Sequence, residues 1–116
     1  MAGSAFRELV AYQLAAELAN DLYGVVSAWP QFPRSALGLQ LVRAADSVAA
    51  NIAEADGRFH LADRRRFLLI ARGSLLETEH WLLQAEKRGL LPEGSSERVG
   101  EIARTLNGLV KRPTPS

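Results

Sequence analysis

The chain of 116 residues has no cysteine, one methionine, two histidines and few aromatics: two Trp, two Tyr and four Phe. Without cysteine there are no disulfides and no thiolate metal sites, and the composition fits a reducing, cytoplasmic setting. No run of eighteen apolar residues occurs, so no transmembrane helix and no membrane partner are expected. Arg7 and Glu8 interrupt residues 1–16, and no continuous apolar stretch of a secretory signal follows them. A net charge of +1 makes no broad electrostatic claim on nucleic acid. The charge is unevenly placed, however. Residues 1–57 carry three Arg and six acids (net −3), while residues 58–116 carry eleven Lys and Arg and seven acids (net +4).

What the chain does have is apolar content, 47% of its residues, in helical periods. Helix 1 is expected from about Ala5 to Ala28, with Ser4 as a possible N-cap and residues 1–4 frayed. Its apolar stripe is Ala11, Leu14, Ala15, Leu18, Leu22, Val25 and Val26. Pro30 and Pro33 end it, and Trp29 and Phe32 are expected to plug the end of the bundle. Helix 2 is expected to start near Pro33 or Ser35 and to stop between Ala55 and Gly57, with Gly57 as a left-handed cap. Helix 3 spans about Ala62 to Arg88. Leu68, Ala71, Leu75, Thr78, Leu82 and Ala85 form its main stripe, and Leu69, Leu76 and Leu83 lie to one side. That apolar surface exceeds what one core contact needs and predicts a second buried contact, most simply with another copy. Gly89 stops helix 3. Ser95 or Ser96 caps helix 4, where Gly100 and Gly108 lower the intrinsic helicity. The tail 112–116 is expected to be disordered. No strand pattern and no repeat occurs. Short loops between four amphipathic helices make this an all-α, antiparallel up-down four-helix bundle in a single domain, residues 5–111.

One stretch breaks the amphipathic rule. Along Gln40–Arg58, the residues Gln40, Arg43, Ser47, Asn51 and Glu54 recur at steps of three or four and form one polar line between two apolar faces. Arg43 and Glu54 are about 16 Å apart along the axis and cannot pair within the helix. Glu77 of helix 3 is the expected partner of Arg43. Gly73 and Ser74 lie one turn before it, where they would let helix 2 approach. The expectation is a buried or half-buried network that sets helix register.

Chemistry is sparsely provided for. Neither His60 nor His80 stands in a recognisable nucleophile–base motif. Glu77 and His80 have the Glu-x-x-His spacing of di-iron bundles, but that motif must occur on two helices and occurs here once. No glycine-rich phosphate loop is present. No catalytic residue, metal or cofactor is therefore expected. The one cluster that can bind is basic: Arg58, Arg64, Arg65, Arg66 and Arg72, in the turn before helix 3 and its first turns. Cations near a helix N-terminus are mildly unfavourable, which argues for a role beyond stability, and phosphate is the natural ligand. The competing reading is a solvated helix start carrying weak surface salt bridges. Aromatic interleaving for base stacking is thin, with only Phe59 and Phe67 nearby.

The run Gln40-Leu-Val-Arg43-Ala-Ala-x-Ser47-Val-x-x-Asn51-Ile-Ala-Glu54, followed by Gly57-Arg58, resembles the signature of the four-helix-bundle family named after the 23S rRNA intervening-sequence protein. Helix 3 adds Arg66-Phe67-Leu68-x-Ile70-Ala71-x-Gly73-Ser74-x-x-Glu77. Helix 1 adds Phe6-x-x-Leu9-x-x-Tyr12, with Tyr23 before Pro30. Ala55 departs from the family's usual glycine. The resemblance implies a bacterial cytoplasmic protein, assembled as a homopentameric barrel, without established enzymatic activity. It is distantly similar to the accessory variability determinant of diversity-generating retroelements, a more basic protein that binds its reverse transcriptase and nucleic acid. Expected partners are therefore other copies of the chain, then RNA or DNA or an RNA-associated protein, with a reverse transcriptase as the alternative and an uncharacterised enzyme as the remaining reading.

Overall fold

A computed structural model describes residue 6 and residues 9–111; the expected Ser4 cap, the fraying of residues 1–4 and the disorder of 112–116 fall outside that range. The described residues form an all-α bundle of four long helical passages with no strand. Helix α1 is Val10–Ser27. It starts later than Ala5 because Leu9 is extended (φ −72°, ψ 127°) and its N–H bonds to Phe6 O instead of entering the helix. Tyr12 holds that entry by an edge-to-face contact with Phe6, centroids 4.9 Å apart. Pro30 ends α1, and the Trp29 N–H closes the last turn on Val26 O.

The second passage opens at Gln31–Pro33, runs through a π-helical segment at Arg34–Gly38, and continues as α2, Leu39–Asp56. Pro33 fits here because the first turn of a helix needs no N–H from it. Gly38 is the close-approach residue: a Cβ there would collide with Val26 and touch the Trp29 indole. Trp29 is 8% exposed and seals this end of the core, whereas Phe32 is 80% exposed and does not plug it. The chain turns at Pro30, which leaves the Phe32 side chain on the outside of the first turn. Gly57 caps α2 with ordinary right-handed angles (φ −81°, ψ −7°), not left-handed ones.

Helix α3, Leu61–Lys87, is 27 residues long, about 40 Å. Its six-residue main stripe, Leu68 to Ala85, is buried throughout. It ends in a Schellman motif: Gly89 has φ +72°, its N–H bonds Glu86 O, and the Leu90 N–H bonds Ala85 O. Helix α4, Arg98–Lys111, follows a 3₁₀ turn at Ser95–Glu97. Neither serine caps it through its side chain. The Ser95 hydroxyl donates to Pro92 O, and the Ser96 N–H is taken by Glu86 Oε2 of α3 at 2.7 Å. The bond from the Ser96 N–H, with further ones from the Ser96 side chain and the Gly94 backbone, holds the Glu86 carboxyl below its usual value.

Around the core, α1 packs on α2, α2 on α3, α3 on α4, and α4 back on α1. Leu41, Ile52, Leu75, Leu82 and Leu106 are among its fully buried side chains. Apolar area removed from water is the main stabilising term. It is not complete: Leu39, Ile70, Leu76 and Leu83 remain exposed on α2 and α3.

Candidate nucleic-acid interface

The polar line of α2 divides in three. Ser47, Asn51 and Ser74 are half-buried and meet: the Ser47 and Ser74 hydroxyls are 2.8 Å apart, and Asn51 Nδ2 donates to Ser47 O (2.8 Å) and Ser47 Oγ (3.0 Å). Thr78, fully buried, donates to Ser74 O at 2.8 Å. Gln40 and Arg43 lie in solvent at one end. No ion pair joins Arg43 to Glu77 among the described residues; Glu77 is exposed and accepts a long 3.4 Å bond from Trp81 Nε1. The expected charged lock is therefore a serine–asparagine lock. The residues at its two ends, Gln40 and Arg43 on one side and Glu54 on the other, are exposed and stay hydrated. Gly73 does not admit α2 either: it points outward, with open space where a Cβ would stand. Glu54, at the other end, is exposed and pairs with Arg58 at 2.6 Å.

That pair begins the basic cluster. Arg58 and Arg66 both place their guanidinium carbons against the Phe67 ring, at 4.6 and 4.5 Å from its centroid. Arg66 also pairs with Asp63 at 3.4 Å, one turn away. Arg64 turns to the end of the bundle, donating to Arg58 O at 3.3 Å beside a cavity of about 70 Å³ that Ile52, Asp56 and Leu68 help to line. The Nε atoms of Arg58 and Arg64 are buried without a hydrogen-bond partner. Arg65 and Arg72 face α4 instead. Arg65 donates to Val110 O at 3.2 Å, near the negative end of that helix, and Arg72 donates to Asn107 Oδ1 at 3.3 Å. The five arginines thus do not form one patch. Arg58 and Arg66 converge on Phe67, Arg64 closes the bundle end, and Arg65 and Arg72 brace α4.

Phe59 is the residue that the sequence reading undervalued. It stands in the turn, 93% exposed, touching His60 edge to face. A phenyl ring left in water buries almost nothing within the chain, so its place next to Arg58 is open to a ligand. The available signal was its place in a Gly-Arg-Phe-His turn with no helical period to bury it.

The exposed electrostatics elsewhere are ordinary. Arg98 of α4 reaches Asp21 (2.9 Å) and Glu17 (3.6 Å) of α1. His80 packs edge to face on Trp81, and no group of three His, Asp or Glu residues suited to a metal occurs among the described residues. No described helix is long and apolar enough to cross a membrane.

Comparisons with known proteins bear on the fold and the family. A search of curated proteins finds no match. Among solved structures, the crystal structure at 1.70 Å of a protein of unknown function from the S23 ribosomal protein family of Bacteroides thetaiotaomicron VPI-5482 superposes with a TM-score of 0.76. It shares 24% identity, with 89% of this chain and all of that one covered, and so shares the fold. The family described as 23S rRNA-intervening sequence protein matches residues 7–112, nearly all of the bundle. The chain belongs to that family.

Proposed function

We propose that the protein is a non-catalytic, homo-oligomeric scaffold of the cytoplasm that contacts single copies of an RNA strand through the α2–α3 turn of each subunit. The observation that carries the reading is Phe59, 93% exposed in the α2–α3 turn next to Arg58 in the chain, where the Arg58 and Arg66 guanidiniums meet on the Phe67 ring. Guanidinium groups hold phosphates in bidentate geometry, and an exposed aromatic face stacks on an unpaired base. The family's name, which refers to ribosomal RNA, supports RNA over DNA as the first ligand to try. An up-down antiparallel course is supported by paired contacts that run in opposite directions along neighbouring helices: Glu86 with Ser96, Arg72 with Asn107 and Arg65 with Val110. Self-association is supported by the apolar side chains left on α2 and α3, and five copies is the number implied by the resemblance. In such a ring the turns repeat around an axis, and weak contacts add through effective concentration.

The test is a salt titration of binding to a single-stranded RNA by the purified protein. Two phosphate contacts per subunit predict a slope of about −1.4 in log K against log salt per engaged subunit. Arg58→Gln with Arg66→Gln is expected to lower low-salt affinity on the order of tenfold without unfolding the chain, since exposed ion pairs contribute little to stability. No binding at low salt, or binding insensitive to salt, overturns the phosphate reading. Equal binding of DNA would assign the surface to single strands generally, and capture of protein without RNA would assign it to an RNA-associated protein.

A further inference from the structure

The cavity at the α2–α3 end of the bundle, about 70 Å³, is lined by two opposite charges that do not pair with each other. Its apolar lining includes Ile52, Ala55, Leu68 and Leu109, and its charged lining is Asp56 and Arg64, both half-buried. Asp56 makes no ion pair among the described residues. Arg64 donates one guanidinium nitrogen to Arg58 O at 3.3 Å, while its Nε is buried without a partner. A buried donor on a charged group that donates to nothing is a cost to the fold, as is a half-buried carboxylate without a cation. Each charge also sits at the disfavoured end of its helix. Asp56 is the last residue of α2, where the helix dipole is negative, and Arg64 lies in the first turn of α3, where it is positive. Helix stability therefore accounts for neither residue.

We infer that this cavity binds a free α-amino acid with a short aliphatic side chain. At neutral pH such a molecule is a zwitterion. Its carboxylate suits Arg64, since a guanidinium fork holds a carboxylate by charge-assisted hydrogen bonds, and its ammonium suits Asp56. A carboxylate alone would meet Asp56 as a like charge, and an amine alone would meet Arg64 as one; the zwitterion offers each residue the opposite sign. The apolar residues then cover the side chain, and the cavity limits its size. Its volume is about half the roughly 150 Å³ of an apolar cavity that holds benzene, which admits alanine or valine and refuses an aromatic side chain. The site is separate from the RNA contact proposed above, whose cations Arg58 and Arg66 lie on the Phe67 ring.

Calorimetric titration of the purified full chain at neutral pH tests this with four probes: L-valine, valinamide, 3-methylbutanoate and L-tryptophan. L-Valine is expected to bind with a dissociation constant on the order of 1 mM, ordinary for so few atoms. Valinamide, which lacks the carboxylate, and 3-methylbutanoate, which lacks the ammonium, are each expected to bind about tenfold more weakly. L-Tryptophan is expected not to bind. Arg64→Gln and Asp56→Asn are each expected to weaken L-valine about tenfold, with wild-type helicity by circular dichroism. The two variants report on opposite ends of the ligand. Arg64→Gln is expected to bind L-valine and valinamide alike, and Asp56→Asn to bind L-valine and 3-methylbutanoate alike, a pattern that partial unfolding does not produce. Absence of L-valine binding at about ten times that concentration overturns the site. Wild-type protein that binds 3-methylbutanoate as well as L-valine overturns the zwitterion and leaves an anion contact at Arg64. Unchanged L-valine affinity in both variants overturns the assignment to this cavity.

Discussion

Ser47 and Ser74 each carry one hydroxyl into the α2–α3 contact, and each hydroxyl has the other as a partner at 2.8 Å. Removing one leaves the other short of a hydrogen bond in a half-buried place, so Ser74→Ala is expected to cost about 1 kcal/mol. Ser47→Ala removes in addition one acceptor of the Asn51 amide, which keeps Ser47 O. The double variant is expected to lose less than the sum of the singles, by about 0.5–1 kcal/mol, in a denaturant-unfolding cycle; strict additivity would mean that the hydroxyls are not coupled. Gly38 presents the opposite case, a residue whose side chain is forbidden. Val26 is β-branched and cannot swing aside, and the Trp29 ring lies behind it. Gly38→Ala is expected to destabilise the chain by about 1–3 kcal/mol, read as a lowered denaturant midpoint with an unchanged slope. At this scale the sequence was partly legible. Steps of three and four put Ser47 and Asn51 on one line, and Ser74 lies one turn before Glu77 on the facing helix. Periodicity could not say which flank of that line is covered, so Arg43 and Glu77 read as a buried pair although both are hydrated. Gly38 gave no signal, because the clash it avoids comes from α1.

Helix α4 illustrates what elements owe to one another. Its first turn is closed by Glu86, which belongs to α3 and reaches the Ser96 N–H. Hydrogen bonds from Ser96 favour the ionised carboxylate and lower its pKa from the ordinary value of 4.5. A group whose folded pKa is depressed contributes stability that is fully present above the unfolded value and is lost as pH falls through the folded one. The wild type is therefore expected to lose this contribution below about pH 4.5. Glu86→Gln, which can still accept the bond but carries no charge, is expected to be less stable than wild type near pH 7 and to converge on it in acid. Melting temperatures of both proteins from pH 7 to pH 3 check this, and parallel curves would remove Glu86 from the acid response. The contrast with α3 shows why one element was readable and the other was not. Six stripe positions from Leu68 to Ala85 follow helical spacing and all six are buried, since burial of one face is written into local order. The α4 cap comes from ten residues upstream across a turn, and the local serines that looked like caps are used elsewhere.

On the scale of the whole molecule, the balance between buried and exposed apolar surface carries the argument. Four helices can close one core, and here they do so with small residues on α1 and α2 and leucines on α3. The closed core still leaves Leu39, Ile70, Leu76 and Leu83 in water. Scattered exposed leucines are ordinary, but leucines aligned along one side of a long helix are not. If that surface is covered by other copies, unfolding is coupled to dissociation, and mass action makes stability depend on protein concentration. The melting temperature is then expected to rise as concentration is raised from about 1 to 100 µM. The variant Leu76→Asp with Leu83→Asp is expected to melt at one temperature throughout that range. Calorimetry at several concentrations decides the matter: a wild-type melting temperature indifferent to concentration would assign the exposed leucines to a partner of another kind. Oligomerisation also bears on the RNA reading, because a turn that binds weakly in one subunit binds well when several turns engage one strand. The same leucine variant, with Arg58, Phe59 and Arg66 intact, is accordingly expected to lose RNA affinity on the order of a hundredfold for long strands. For strands too short to reach a second turn, it is expected to bind as the wild type does.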